Sequence, residues 1–216
     1  MPDADPISQA DSPEAAESAA TAAPARKRPK PGERRVQILQ ALATMLEQPG
    51  AERITTAALA SRLQVSEAAL YRHFASKAQM FEGLIDFIEQ SVFTLINQIQ
   101  ERQAGEPVRQ ATAIVTLLVQ FAERNPGMTS VMVGDALVFE NERLQQRMNQ
   151  FFDRIESTLR QYLRADPAGS ATPSVDAQVG ASLLTALVVG RLHRFARSGF
   201  KRLPSEHLED SLARIL

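Results

Sequence analysis

The 216-residue sequence contains no cysteine and no tryptophan, and only two tyrosines. Without cysteine, disulfides, Cys-ligated zinc and iron–sulfur clusters are excluded, and the composition fits a reducing compartment. His73, His193 and His207 stand far apart in sequence, and none has ligand spacing with an acid. No metal and no cofactor are therefore expected. Apolar runs are short: none approaches the roughly 20 residues that a membrane-spanning helix needs. Nothing in Met1–Ala25 reads as a signal peptide, because the segment is acidic and has no apolar stretch. A soluble cytoplasmic protein is the expectation. No phosphate-binding glycine loop occurs. Ser198-Gly-Phe-Lys201 matches Ser-x-x-Lys only at the level chance supplies, so an enzyme is not expected.

Charge is present but unevenly placed. Residues 1–25 carry five acids (Asp3, Asp5, Asp11, Glu14, Glu17) and no Lys or Arg. Residues 26–80 carry ten bases against four acids, and residues 81–216 carry fourteen against sixteen. A basic block beside a near-neutral body points to an anionic partner for that block, with a solvated basic surface as the alternative. The acidic stretch has too few bulky apolar residues to offset its ordering entropy and is expected to be disordered. Arg26-Lys-Arg-Pro-Lys-Pro-Gly32 reads as a basic arm.

The remainder carries apolar residues at spacings of three and four and no strand-like alternation, so an all-α fold is predicted. Helices are expected over about 33–46 (ended by Pro49-Gly50), 56–63, 66–74, 76–102, 107–124, 129–139, 141–164, 175–198 and 205–216. Thr55 or Thr56 is a good N-cap. Ser76 with Gln79 forms a capping-box pattern, Pro107 suits a first turn, and Gly199 suits a helix end. A Pro/Gly/Ser loop is expected over 165–174. The chain divides into a tail and arm over 1–32, a unit of short helices over 33–78 and a unit of longer helices over 79–216.

The segment 54–74 carries the function. Two short predicted helices flank a turn at Leu63-Gln64-Val65. Ala57, Ala58, Ala60, Ala68 and Ala69 permit close approach, and Leu59, Leu63, Val65 and Leu70 supply a shared core. This is the layout of a helix-turn-helix, whose second helix enters the major groove; an ordinary alanine-rich helix pair is the alternative. On the helix-turn-helix reading, Ser66, Glu67, Tyr71 and Arg72 form an outward face. Ser66, Ala68 and Ala69 are assigned to base edges. Thr55, Thr56, Tyr71, His73 and Lys77, with Arg34 and Arg35 at the start of the first helix, are assigned to the DNA backbone.

Residues 54–84, with the run Leu70-Tyr-Arg-His-Phe-Ala-Ser-Lys77, resemble the TetR-family DNA-binding domain. Gln64 departs from the glycine usual in that turn; at a positive φ it would cost roughly 1 kcal/mol. Phe121-Ala-Glu-Arg-Asn-Pro-Gly-Met128, Gly134-Asp-Ala-Leu-Val-Phe-Glu140, Arg143-Leu144, Arg147, Arg154-Ile-Glu156 and Arg194-Phe195 resemble the nucleoid-occlusion branch of that family, the SlmA-like proteins. The likeness spans about residues 33–203. It implies a dimer on palindromic double-stranded DNA sites across the nucleoid, with higher-order assembly on DNA left open. It also implies binding of the tail of the tubulin-like division protein FtsZ, and inhibition of FtsZ-ring and septum assembly. Phe87, Leu117, Arg124 and Asn125 match the tail-binding positions of that branch, whereas Leu95 and Gln120 replace an arginine and a glycine. Leu117 also fits plain core packing, and Asn125-Pro-Gly127 also fits a plain turn.

The last two predicted helices are expected to pair with those of a second copy. Leu184, Leu187, Val188, Leu192 and Phe195 are the expected dimer interface. The alternative to the division-inhibitor reading is a ligand-responsive TetR-type repressor, with a pocket among the fourth to eighth predicted helices.

Overall fold

Most of the predicted helices form, and several begin at the residues whose caps the sequence announces. The computed structural model describes residues 32–48, 54–164 and 173–216. The acidic stretch, the basic arm up to Pro31, the Pro49-Gly50 break and the loop over 165–172 lie outside the described residues. Helices α1 (Glu33–Met45), α2 (Thr56–Leu63), α3 (Glu67–Tyr71) and the start of α4 (Lys77–Arg102) make the N-terminal unit. The body is the rest of α4 with α5 (Pro107–Arg124), α6 (Pro126–Met132), α7 (Glu142–Arg164), α8 (Pro173–Arg197) and α9 (Leu208–Leu212). Among the described residues there is no strand.

Caps set these boundaries. Thr55 Oγ1 accepts from the Ala58 N–H at 3.1 Å and starts α2. Ser76 Oγ accepts from the Gln79 N–H at 3.2 Å, and Gln79 Oε1 accepts from the Ala75 N–H at 2.9 Å, which starts α4. Pro107 opens α5. Gly199, at φ 64°, follows the end of α8.

Three segments differ from the sequence reading. Helix α3 is five residues long rather than nine. After Tyr71 the chain tightens, with the His73 N–H reaching Leu70 O at 2.9 Å, and this turns Phe74 into the core at 1 % exposure. The segment 129–139 is not one helix. Proline 126 starts α6 at once, Gly134 (φ 86°) ends it, and a 3-10 turn covers Asp135–Leu137. The last helix spans only Leu208–Leu212, because residues before it are held in a loop. The Arg191 guanidinium donates to the carbonyls of Pro204 (2.9 Å) and Glu206 (2.7 Å) and to Ser211 Oγ (2.7 Å). Burial, then the neighbouring Arg194, lowers the pKa of Arg191, with Glu206 opposing.

One hydrophobic core runs through both units, from Ile38 and Leu42 through Phe81, Ile88 and Ile114 to Phe151 and Leu184. The N-terminal unit is seated on the body by α6. A Cβ on Gly127 would stand 1.8 Å from the Ala43 carbonyl oxygen, so the α6 and α1 backbones touch where only glycine fits. Ser130 Oγ donates to Leu46 O at 3.4 Å. Along the body, α7 is laced to α4. Arg147 bonds Asp86 (2.6 Å) and Glu89 (2.7 Å), Arg143 pairs with Glu82, and Arg154 stacks 3.9 Å from the Phe93 ring centroid. Burial opposes the Arg147 charge, but the bonds to Glu89 and Asp86 outweigh it and raise its pKa.

The expected dimer interface requires correction. Leu184, Val188 and Leu192 are fully buried within the protomer and Phe195 is 2 % exposed, so these four belong to its own core. Leu187 is half-buried against that core. The outward apolar face of α8 is instead Val175, Val179 and Leu183, each more than half exposed, continued by Ala186 and Gly190. Apolar residues on both faces also explain why Val175–Arg197, with mean hydropathy 1.3, is long and apolar enough for a membrane span. The sequence reading had found no stretch near that limit. The charged side chains at its end and its core contacts mark one face as an internal packing face.

Candidate nucleic-acid interface and partner groove

Helix α2 ends in a tight reversal. The Gln64 N–H bonds Ser61 O and the Val65 N–H bonds Ala60 O, both at 3.0 Å, with Gln64 at φ 54°, ψ 46°. This is a Schellman end, which favours glycine at the left-handed position. The chain adopts it with glutamine, and the turn keeps its geometry. Ser66 then caps α3, its Oγ accepting from the Ala69 N–H at 3.2 Å.

Leu70 faces inward at 1 % exposure, while Glu67, Ala68, Tyr71 and Arg72 are exposed and Ala69 and His73 are half-buried. Helix α2 contributes to the same surface. Thr56 Oγ1 donates to Glu67 Oε2 at 2.6 Å, and the Tyr71 hydroxyl donates to Thr56 Oγ1 at 3.5 Å. Exposed Arg62, in the last turn of α2, adds a cation that the sequence reading passed over. The surface therefore combines small side chains, hydroxyls and cations on a short helix held from behind, which is what entry into a major groove demands.

Several of the residues expected at DNA also have partners within the protein. Arg35 donates to the His73 carbonyl and lies 4.1 Å from the Phe74 ring centroid, tying α1 to the end of the reading helix. Arg34 donates to Gln37 at 3.0 Å. Lys77 forms an ion pair with Glu140 at 2.5 Å and lies 5.7 Å from the Phe81 ring centroid, so its charge is drawn to the body. Thr55 and Ser66 each accept one hydrogen bond as a cap, leaving the hydroxyl hydrogen for other partners.

The positions expected to meet a division-protein tail separate into two kinds. Phe87 is 48 % exposed on α4, and Arg124 is exposed at the end of α5. Leu117 and Gln120 line a cleft of about 480 Å³ between α4 and α5, together with Ile99, Arg109 and Thr116. Asn125 serves the backbone: its amide donates to Phe121 O at 2.7 Å, and its carbonyl accepts from Thr129. Ser198 is likewise a turn clamp, donating to Phe195 O and accepting from the Lys201 and Arg202 N–H groups.

The family model "Bacterial regulatory proteins, tetR family" matches residues 38–84, and the SlmA-like model "Tetracyclin repressor-like, C-terminal domain" matches 107–215. The nucleoid occlusion factor SlmA of Idiomarina loihiensis is 53% identical over 175 residues, covering 81% of this chain and 89% of that protein. The chain belongs to the SlmA-like branch of the TetR family. The SlmA of Vibrio cholerae is 52% identical over 180 residues, 82% of this chain and 91% of that protein. Solved structures share the fold at lower identity. A transcriptional regulator from Rhodococcus has a TM-score of 0.66 at 24% identity, covering 84% of this chain and 92% of its own. The TetR-family regulator PfmR from Thermus thermophilus has a TM-score of 0.66 at 20% identity, with coverages of 83% and 94%.

Proposed function

We propose that this protein is a nucleoid-occlusion factor. As a homodimer it binds specific, palindromic chromosomal sites through α2 and α3, resides on the nucleoid in the cytoplasm, and antagonises assembly of the FtsZ ring and septum there. The observation that carries this reading is identity of just over half with SlmA proteins through the C-terminal body as well as the reading head. Solved TetR-fold regulators with the same overall shape share only 13–24% of their residues with it. The division at about residue 78 separates roles rather than bodies, since it falls in the first turn of α4.

Phe87, the Leu117 cleft and Arg124 are the proposed docking surface for the FtsZ tail. An exposed apolar side chain and an exposed guanidinium suit a short peptide that carries both apolar and acidic residues. The reading needs no catalytic step. It is tested by titrating the protein into a labelled FtsZ tail peptide and following anisotropy, with and without the DNA site. Saturable binding, strengthened by DNA and lost in Arg124→Asp, supports it. Absence of binding by DNA-competent protein moves the assignment to a ligand-responsive repressor.

A further inference from the structure

The reading helix carries an acid at a place where acids are costly. Glu67 is exposed on the α3 surface that, on the DNA-binding reading, meets a polyanion. Its carboxylate is not left to swing away. Thr56 O–H, from α2, donates to Glu67 Oε2 at 2.6 Å, and Tyr71 O–H donates at 3.5 Å to Thr56 Oγ1, so one hydroxyl holds the carboxylate and a second backs that hydroxyl. That leaves Glu67 Oε1 outside this relay, fixed to the reading surface by the relay's grip on its twin.

We infer that Glu67 is a specificity-determining residue that reads the N4 amino group of a cytosine in each half-site, held in place by Thr56. A carboxylate only accepts hydrogen bonds. The donors on offer in the major groove are cytosine N4 and adenine N6, and adenine sets its N7 acceptor beside the amino group, where a second carboxylate oxygen is repelled. Guanine and thymine show acceptors there and are rejected. The neighbouring side chains do not duplicate this role. Ser66 is engaged in its cap, and Ala68 and Ala69 offer only methyl groups. Arg72 is a donor and suits guanine. Thr56 acts as a positioning residue, with its own hydroxyl hydrogen already committed to Glu67.

This inference rests on the DNA-binding reading, and the experiment separates the two. Preferred sites are selected from random-sequence duplexes with the full chain, and a panel of single-base variants of the selected site is titrated by fluorescence anisotropy at fixed salt. The proteins are wild type, Glu67→Gln and Thr56→Val, with helicity checked by circular dichroism. The wild-type protein is expected to require a C·G pair at one symmetric position. Glu67→Gln, which can bond adenine through N6 and N7, is expected to move the preference there from cytosine to adenine by about tenfold or more. Thr56→Val is expected to flatten discrimination at that position while leaving the others intact. Two outcomes overturn the inference: a Glu67→Gln protein with the wild-type base preferences, or one whose affinity rises equally for every sequence. Failure of the wild-type protein to bind any duplex instead overturns the DNA-binding reading.

Discussion

Lys77, the first residue of α4, stands 2.5 Å from Glu140, which follows the 3-10 turn of the body, and the Glu140 side chain is only 8 % exposed. The last residue of the helix-turn-helix signature is thus a strut between reading head and body. Removing the cation strands a nearly buried carboxylate, which costs more than loss of an exposed pair. Lys77→Ala is expected to lower stability by about 1–3 kcal/mol in urea unfolding. Lys77→Ala with Glu140→Leu is expected to recover most of it. Equal loss in the double variant would show that the pair is not the source.

Contact between the α6 and α1 backbones leaves no room for a methyl group at residue 127. The Ala43 carbonyl belongs to a helix and cannot swing aside as a side chain would. Gly127→Ala is expected to cost about 3 kcal/mol as overpacking, seen as a clear fall in Tm. A variant as stable as wild type would refute the close seating of the head.

Gln64 occupies a left-handed position at φ 54°. Gln64→Gly is expected to stabilise the chain by roughly 0.5–1 kcal/mol, and Gln64→Val to destabilise it, because a β-branched side chain is worst at positive φ. Chemical denaturation reads both. A Gly variant less stable than wild type would mean that the glutamine side chain contributes more than its backbone strain costs.

Neighbouring leucines on α8 have opposite environments. Leu184 is fully buried, whereas Leu183 is 52 % exposed. Leu184→Ala is expected to cost about 2–5 kcal/mol of protomer stability. Leu183→Glu is expected to leave the fold intact and shift sedimentation equilibrium from dimer to monomer. If Leu183→Glu remains dimeric, the pairing face lies elsewhere.

The sequence made the helix order and the caps at Thr55 and Ser76 legible, because each depends on a few adjacent residues, whereas the cap at Ser66, a residue assigned to base edges, emerges only in the structure. Partners distant in the chain were not legible. Lys77 reads locally as a phosphate-binding cation, and only the fold brings Glu140 to it from 63 positions away. The stacking of Arg35 on Phe74 is likewise a tertiary event that adjacent residues do not announce. For α8, apolar residues surround much of the helix, so periodicity could not separate the side facing the core from the side facing outward. Leu184, Val188, Leu192 and Phe195 were placed on the wrong one. Helix α3 was overextended because Phe74 continues the apolar pattern while the backbone is already turning.

Helix α4 runs unbroken for 26 residues, about 39 Å at 1.5 Å per residue. Its first turn carries the strut to the reading head, and Ile99, near its last turn, lines the α4–α5 cleft. A continuous rod with α7 laced along it has no hinge between these ends. On the proposed function, a peptide seated in the cleft is carried at a set height and azimuth above the double helix, so the spacing of target sites would set how bound partners are arrayed over it. On that reading the DNA sequence, through this rod, writes a pattern in space as well as choosing an address.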